Sequence, residues 1–97
     1  MTQIQHVVAF RAKERGHIPR VVELARSLAS CAGVEALVVH EDLGLHTPAF
    51  HVLLVSRHES PEALAAFRAD EDHLRIAREL VELTESRATV DFALDPI

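Results

Sequence analysis

The chain has no tryptophan, no tyrosine and no asparagine, only four phenylalanines, and one cysteine in 97 residues. So few aromatics give bases nothing to stack on, and a formal charge of −5 offers no basic footprint to a phosphate backbone, so no nucleic-acid partner is expected. A lone Cys31 excludes an intramolecular disulfide and suits a reducing compartment, so a cytoplasmic location is expected. Falling on the apolar stripe of a helix, Cys31 reads as a small buried hydrophobe. No stretch approaches the ~18 apolar residues of a membrane span. The opening Met1-Thr2-Gln3-Ile4-Gln5 lacks the positive stretch of a signal peptide. With three glycines there is no glycine-rich loop to cradle a phosphate.

What remains is 48% hydrophobic and 26% charged, the composition of an ordinary globular chain. One domain over residues 1–97 is expected. A domain of that size buries only about 65% of the surface its unfolded chain exposes, and often gains from association.

Phe50 to Ser56 reads as a buried strand between Thr47-Pro48 and Ser60-Pro61. Ser60-Pro61-Glu62 then starts a helix: Ser accepts at the N-cap, Pro tolerates the first position, and Glu favours the positive helix end. That helix, Pro61 to Ala69, breaks at Asp70-Glu71-Asp72, which reads as a solvated turn, and a second segment opens near His73. Its apolar stripe of Leu74, Ala77, Leu80 and Val81 runs through Leu83, with Arg75 and Arg78 on the exposed face.

Earlier in the chain, Ile4 to Phe10 alternates as a strand, with His6, Val8 and Phe10 on one face and Val7 and Ala9 on the other. Arg11 to Gly16 reads as a loop. Ile18, Val21, Val22, Ala25, Leu28, Ala29 and Ala32 predict a helix from Pro19 to Ala32, closed by Gly33. Val34 to Glu41 and Ala88 to Leu94 read as strands.

The order β-α-β-β-α-β predicts a ferredoxin-like α+β fold, a four-stranded antiparallel sheet with both helices on one face. A sheet with one wet face alternates cleanly between apolar and polar residues, and here Val7, Ala9, Leu53 and Val55 make the second face apolar too. A bare apolar face of several hundred Å² is rare on a monomer. A second copy related by a two-fold axis covers it, so a homodimer whose two sheets close into an α+β barrel is expected.

Ile4-Gln5-His6-Val7-Val8-Ala9-Phe10, Gly33-Val34, Phe50-His51-Val52-Leu53-Leu54-Val55, Ser60 to Phe67, and the closing Leu83, Arg87-Ala88 and Val90-Asp91-Phe92 together resemble a stress-responsive A/B barrel domain. The resemblance covers nearly the whole chain. It implies a dimeric α+β barrel. In members acting as polyketide cyclases, a Tyr and the second His of a His-Pro-x-His pattern are implicated in an aldol-type ring closure. Here the pattern reads Phe67-Arg68-Ala69-Asp70-Glu71-Asp72-His73. His73 keeps the second His, Asp70 replaces the first, and Phe67 stands at the Tyr position without a hydroxyl to donate. Related dimeric barrels that oxidise substrates without a cofactor or degrade haem are expected to use Trp, Tyr or Asn, which this chain lacks.

His6, His51 and Phe67 are the candidate ligand-binding residues and His73 the candidate base, lining one small apolar pocket between helices and sheet. Imidazole suits proton transfer near neutral pH. Three converging imidazoles also suit Zn²⁺, but no H-x₃₋₅-H or HExxH spacing lies on a helix, and no metal or cofactor is expected. His17, His40, His46 and His58 fall in loops or at strand ends and are expected exposed. Two functions fit: a cyclase- or isomerase-like enzyme acting on a small, polyketide-like carbonyl compound with His73 as base, or a non-catalytic dimer that binds a small molecule or protects under stress.

Overall fold

The computed structural model describes residues 2–94. Met1 and residues 95–97, which the expected domain also took in, lie outside the described residues. The chain forms β1 (Ile4–Ala12), α1 (Ile18–Ser27), β2 (Ala36–Glu41), β3 (Val52–His58), α2 (Pro61–Ala69), α3 (Glu71–Leu83) and β4 (Thr84–Ala93), with short 3₁₀ turns at Arg15–His17 and Leu28–Ser30. The strands make one antiparallel sheet in the order β2-β3-β1-β4. This is the expected ferredoxin-like α+β architecture.

Alternation decides which face each residue takes. His6, Val8, Phe10 and Ala12 of β1 and Val52, Leu54, Ser56 and His58 of β3 are buried on the helix side. Over them α1 lays Ile18, Val21, Leu24 and Ala25, α2 lays Leu64 and Phe67, and α3 lays Ile76 and Leu80. The opposite face carries Val7 and Val55, paired with each other, beside Val38 (50% exposed), Val90 (60%) and Phe92 (43%). That face is apolar, as the lack of alternation predicted.

The α2 boundaries match expectation because their signals are strong. Ser60 accepts from the Ala63 N–H at 3.1 Å, and Pro61 is the first helical residue. Other boundaries move. β1 runs on to Ala12 because β4 begins directly after α3 and pairs with the extension, Arg11 with Ser86 and Ala12 with Thr84 across an irregularity. The α1 helix ends at Ser27, and Leu28–Ser30 tightens into a 3₁₀ turn that still buries Leu28. Cys31 is buried as expected, and burial pushes its thiol pKa up.

The stripe of α3 is corrected: Ile76 and Leu80 are buried, whereas Leu74 and Val81 are exposed. His73, Ile76, Ala77 and Leu80 follow the i, i+3, i+4, i+7 spacing, and Leu74 and Val81 lie a heptad apart on another face. Arg75 and Arg78 are exposed, as expected.

Asp70 is more than a solvated turn. Its carboxylate caps α3 by accepting from the Asp72 and His73 N–H groups at 2.7 and 3.4 Å, and it accepts from the Ala32 N–H at 2.8 Å. Those bonds hold its pKa below the ordinary carboxylate value. At the neighbouring Gly33, φ is +74°, and a Cβ there would stand 2.0 Å from the Ala63 carbonyl oxygen. Only glycine allows the chain to pass so close to α2.

Candidate functional site

The site is built outward from His6 on the helix face of β1. Its cross-strand neighbours are Ser56 on β3 and Asp91 on β4, close enough for side chains to meet. His6 Nδ1 donates to Asp91 Oδ1, which fixes the Nδ1–H tautomer in the neutral ring and leaves Nε2 unprotonated. Arg68 of α2 donates to the other oxygen, Oδ2, at 2.5 Å. Burial pulls the Asp91 pKa up, but the hydrogen bonds and charges of His6 and Arg68 outweigh it and leave the carboxyl below its ordinary value.

Around Phe67, itself buried, three imidazoles gather. Its ring centroid lies 6.0 Å from His6, 5.1 Å from His58 and 4.5 Å from His73, the first and last in edge-to-face contact. His58 is 0% exposed. Its Nδ1 donates to the Gly33 carbonyl at 2.7 Å, so Nε2 accepts from the Ser56 hydroxyl at 2.8 Å. Both nitrogens are satisfied in the neutral ring, and burial lowers the pKa more than the Gly33 carbonyl raises it.

His73 is different. It is half-buried in the first turn of α3, and its Nδ1 is buried with no partner among the described residues. Burial first, then the His6 ring and the Arg68 and Arg87 guanidiniums, pushes its pKa below the ordinary value against the pull of Asp70.

His6, Phe67 and His73 line a cavity of about 400 Å³ whose apolar wall includes Val8, Phe10, Leu28, Leu54, Ala77 and Leu80, and whose polar groups are Arg68, Arg87 and Thr89. The volume is within the usual range for a small-molecule site. A larger depression of about 580 Å³ lies outside it between α2 and β4. Its walls share Arg68 and Asp91 with the site but hold no imidazole, so it offers no base of its own.

Three of the four residues singled out in the sequence are therefore together, and His51 is not. His51 precedes β3, and its Nδ1 accepts from the Ala12 N–H at 3.0 Å, locking the end of β1. Register explains the separation. His6 pairs with Ser56, two residues from His58, whereas His51 lies just before Val52, which pairs with Phe10 toward the other end of β1.

His58 corrects the expectation of exposure, whereas His40 and His46 are exposed and His17 is half-buried. Asp91, Arg68 and Arg87 were missed as site residues. The i, i+2 spacing of Arg87, Thr89 and Asp91 on β4 was the available signal. Among the described residues, no group of three or more His, Cys, Asp and Glu side chains is arranged to hold a metal ion, and no helix is long and apolar enough to cross a membrane.

Comparison with known proteins agrees with this architecture. The chain is 29% identical over 99 residues to a stress-response A/B barrel domain-containing protein of Arabidopsis thaliana, a match that takes in 97% of this chain. It spans 38% of that relative's length. A dimeric ferredoxin-like protein from Thermobifida fusca superposes with a TM-score of 0.83 at 21% identity, over 96% of this chain and 92% of the other. The hydroxynitrile lyase of Passiflora edulis gives a TM-score of 0.82 at 17% identity, over 98% and 95% of the two chains. At these identities the structural matches speak for the fold. The pattern described as Stress responsive A/B Barrel Domain matches residues 4–94, from the first residue of β1 to just past the end of β4, and the chain belongs to that family.

Proposed function

We propose that the cavity is a proton-transfer site for a small carbonyl compound, in a protein that works as a homodimer through the outer face of its sheet. The observation that carries this reading is His73: a half-buried imidazole with an unpartnered Nδ1 and a lowered pKa, on the wall of a largely apolar cavity. A neutral imidazole is the form that can accept a proton.

In this reading His73 takes a proton from a carbon beside the carbonyl, and the developing enolate needs positive charge or a hydrogen-bond donor. The Arg68 guanidinium on the cavity wall supplies that positive charge, held in place by the Asp91 carboxylate to which both it and His6 donate. His51 has no part, because its Nδ1 is engaged by Ala12. With Phe67 in place of a phenol, an enolisation or isomerisation suits the cavity better than ring closure. A protein of the same fold is named a hydroxynitrile lyase, so the scaffold is compatible with catalysis.

The homodimer is supported by the exposed Val38, Val90 and Phe92 and by the dimeric relative from Thermobifida fusca. The second reading, a dimer that binds a small molecule without turning it over, is favoured by one observation, the missing hydroxyl at Phe67.

The test is deuterium exchange at the methylene of methyl benzoylacetate. Wild type is expected to accelerate exchange over buffer, and His73→Gln to lose about 10²-fold or more of that acceleration with its circular dichroism unchanged. Exchange at the buffer rate with wild type would leave the binding reading standing.

A further inference from the structure

We propose that Arg87 makes this cavity selective for a carboxylate-bearing ligand, a small oxo acid held with its carboxylate on the Arg87 guanidinium and its apolar part against Val8, Phe10, Leu28 and Leu54. The inference deepens the preceding reading and rests on it for the carbonyl.

The charges around the cavity are unevenly paired. Of the two guanidiniums on its wall, that of Arg68 is matched by Asp91, to which it donates at 2.5 Å. Asp91 is taken up on its other oxygen by His6. Arg87 has no ion pair and no side-chain hydrogen bond among the described residues, although the chain as a whole carries a formal charge of −5. Arg87 is exposed at the cavity wall beside Thr89, so its guanidinium is free to take up an anion that enters from solvent.

Position supports the same conclusion. Arg87 lies opposite Phe10, Thr89 opposite Val8 and Asp91 opposite His6, so the edge strand β4 lays a polar row along the apolar floor contributed by β1. A ligand in this cavity meets hydrocarbon on one side, and on the other a guanidinium followed by a hydroxyl. The charge of Arg87 is also felt at His73, so an anion bound there is near the base.

The planar fork of Arg matches a carboxylate in bidentate fashion. One unmatched cation balances the single charge of a carboxylate and not the higher charge of a phosphate monoester.

The test compares benzoylacetate with methyl benzoylacetate, which differ in the charge but share the 1,3-dicarbonyl spacing and the phenyl ring. Calorimetric titrations use wild type, Arg87→Gln and Arg87→Lys. Wild type is expected to bind the acid about tenfold more tightly than the ester, the effect of one solvent-accessible charged hydrogen-bond pair. In Arg87→Gln that preference falls to less than about threefold while ester affinity stays unchanged, and Arg87→Lys keeps part of it. Raising the salt concentration shrinks the preference. Equal affinity of wild type for both compounds, a preference that survives in Arg87→Gln, or no binding of either compound would each overturn the proposal. Because only affinities are compared, a protein that fails to exchange the methylene proton yet prefers the acid refutes the catalytic reading and leaves the carboxylate site intact.

Discussion

Replacing His58 by leucine tests whether the densest part of the site is held by hydrogen bonds or by packing alone. The imidazole is completely buried, donates to the Gly33 carbonyl at 2.7 Å and accepts from Ser56 at 2.8 Å. Leucine fills most of the space but leaves the carbonyl and the hydroxyl without partners. Each orphaned buried group costs about 1–3 kcal/mol, and the added apolar surface returns about 1 kcal/mol. The net loss is therefore about 1–5 kcal/mol. For a domain of this size that is a fall in Tm of about 5–40 °C, read by thermal and urea unfolding at one fixed protein concentration, since association makes Tm depend on it.

The same variant has a pH signature. Burial lowers the folded pKa of His58, and that of His73, below the unfolded value of about 6.5. The unfolded chain then binds more protons below that pH. The contribution of these rings is complete above about pH 6.5 and is lost as pH falls through the folded values. His58→Leu removes its share, so its stability falls less steeply than that of wild type on acidification below about pH 6.5. Stability within about 0.5 kcal/mol of wild type, with an unchanged acid slope, would refute the hydrogen-bonded, neutral assignment of His58.

Two further substitutions probe the frame of the site. Gly33→Ala is expected to lower stability by at least ~2 kcal/mol, because a positive φ is strained for alanine and the new Cβ meets the Ala63 carbonyl oxygen; urea unfolding that matched wild type would mean that α2 can move aside. Val90→Asp, on the outer sheet face where Val90 is 60% exposed, is expected to convert a dimer to a folded monomer by light scattering with little change in circular dichroism, since a buried charge at a two-fold interface is left unpaired. A dimer that persists in Val90→Asp argues that the copies meet elsewhere.

How much of this was legible in the sequence depended on whether a signal was local. Ser60-Pro61-Glu62 fixed the start of α2 because an N-cap, a proline and an acidic first turn act on the residues that carry them. The apolar second face was legible for the same reason, as alternation failed within β1 and β3 themselves. Thr84-Glu85-Ser86 is polar and largely exposed, and nothing local marks it as strand. It is held there by pairing with Arg11 and Ala12, far away in sequence. His51 and His58 show the limit most plainly. His51 precedes β3 and His58 ends it, and only the register between β1 and β3 decides which of them meets His6. A one-residue change of parity moves a side chain to the other face of the sheet.

The replacement of a histidine by Asp70 shows how the backbone then shapes the chemistry. Capping by Asp70 starts α3 at Glu71, which sets His73 in the third helical position, against the Phe67 ring and in the first turn. The positive end of a helix disfavours an imidazolium, and so does burial against an aromatic ring. Both act in the same direction on His73, as do the Arg68 and Arg87 charges, whereas the Asp70 carboxylate opposes them and is itself occupied by three backbone N–H groups. A carboxylate at residue 70 thus supplies the helix start that positions the imidazole, and most of its charge is turned toward the backbone. The result is a ring held neutral, with its Nδ1 free of any partner among the described residues, on which a captured proton is held only weakly.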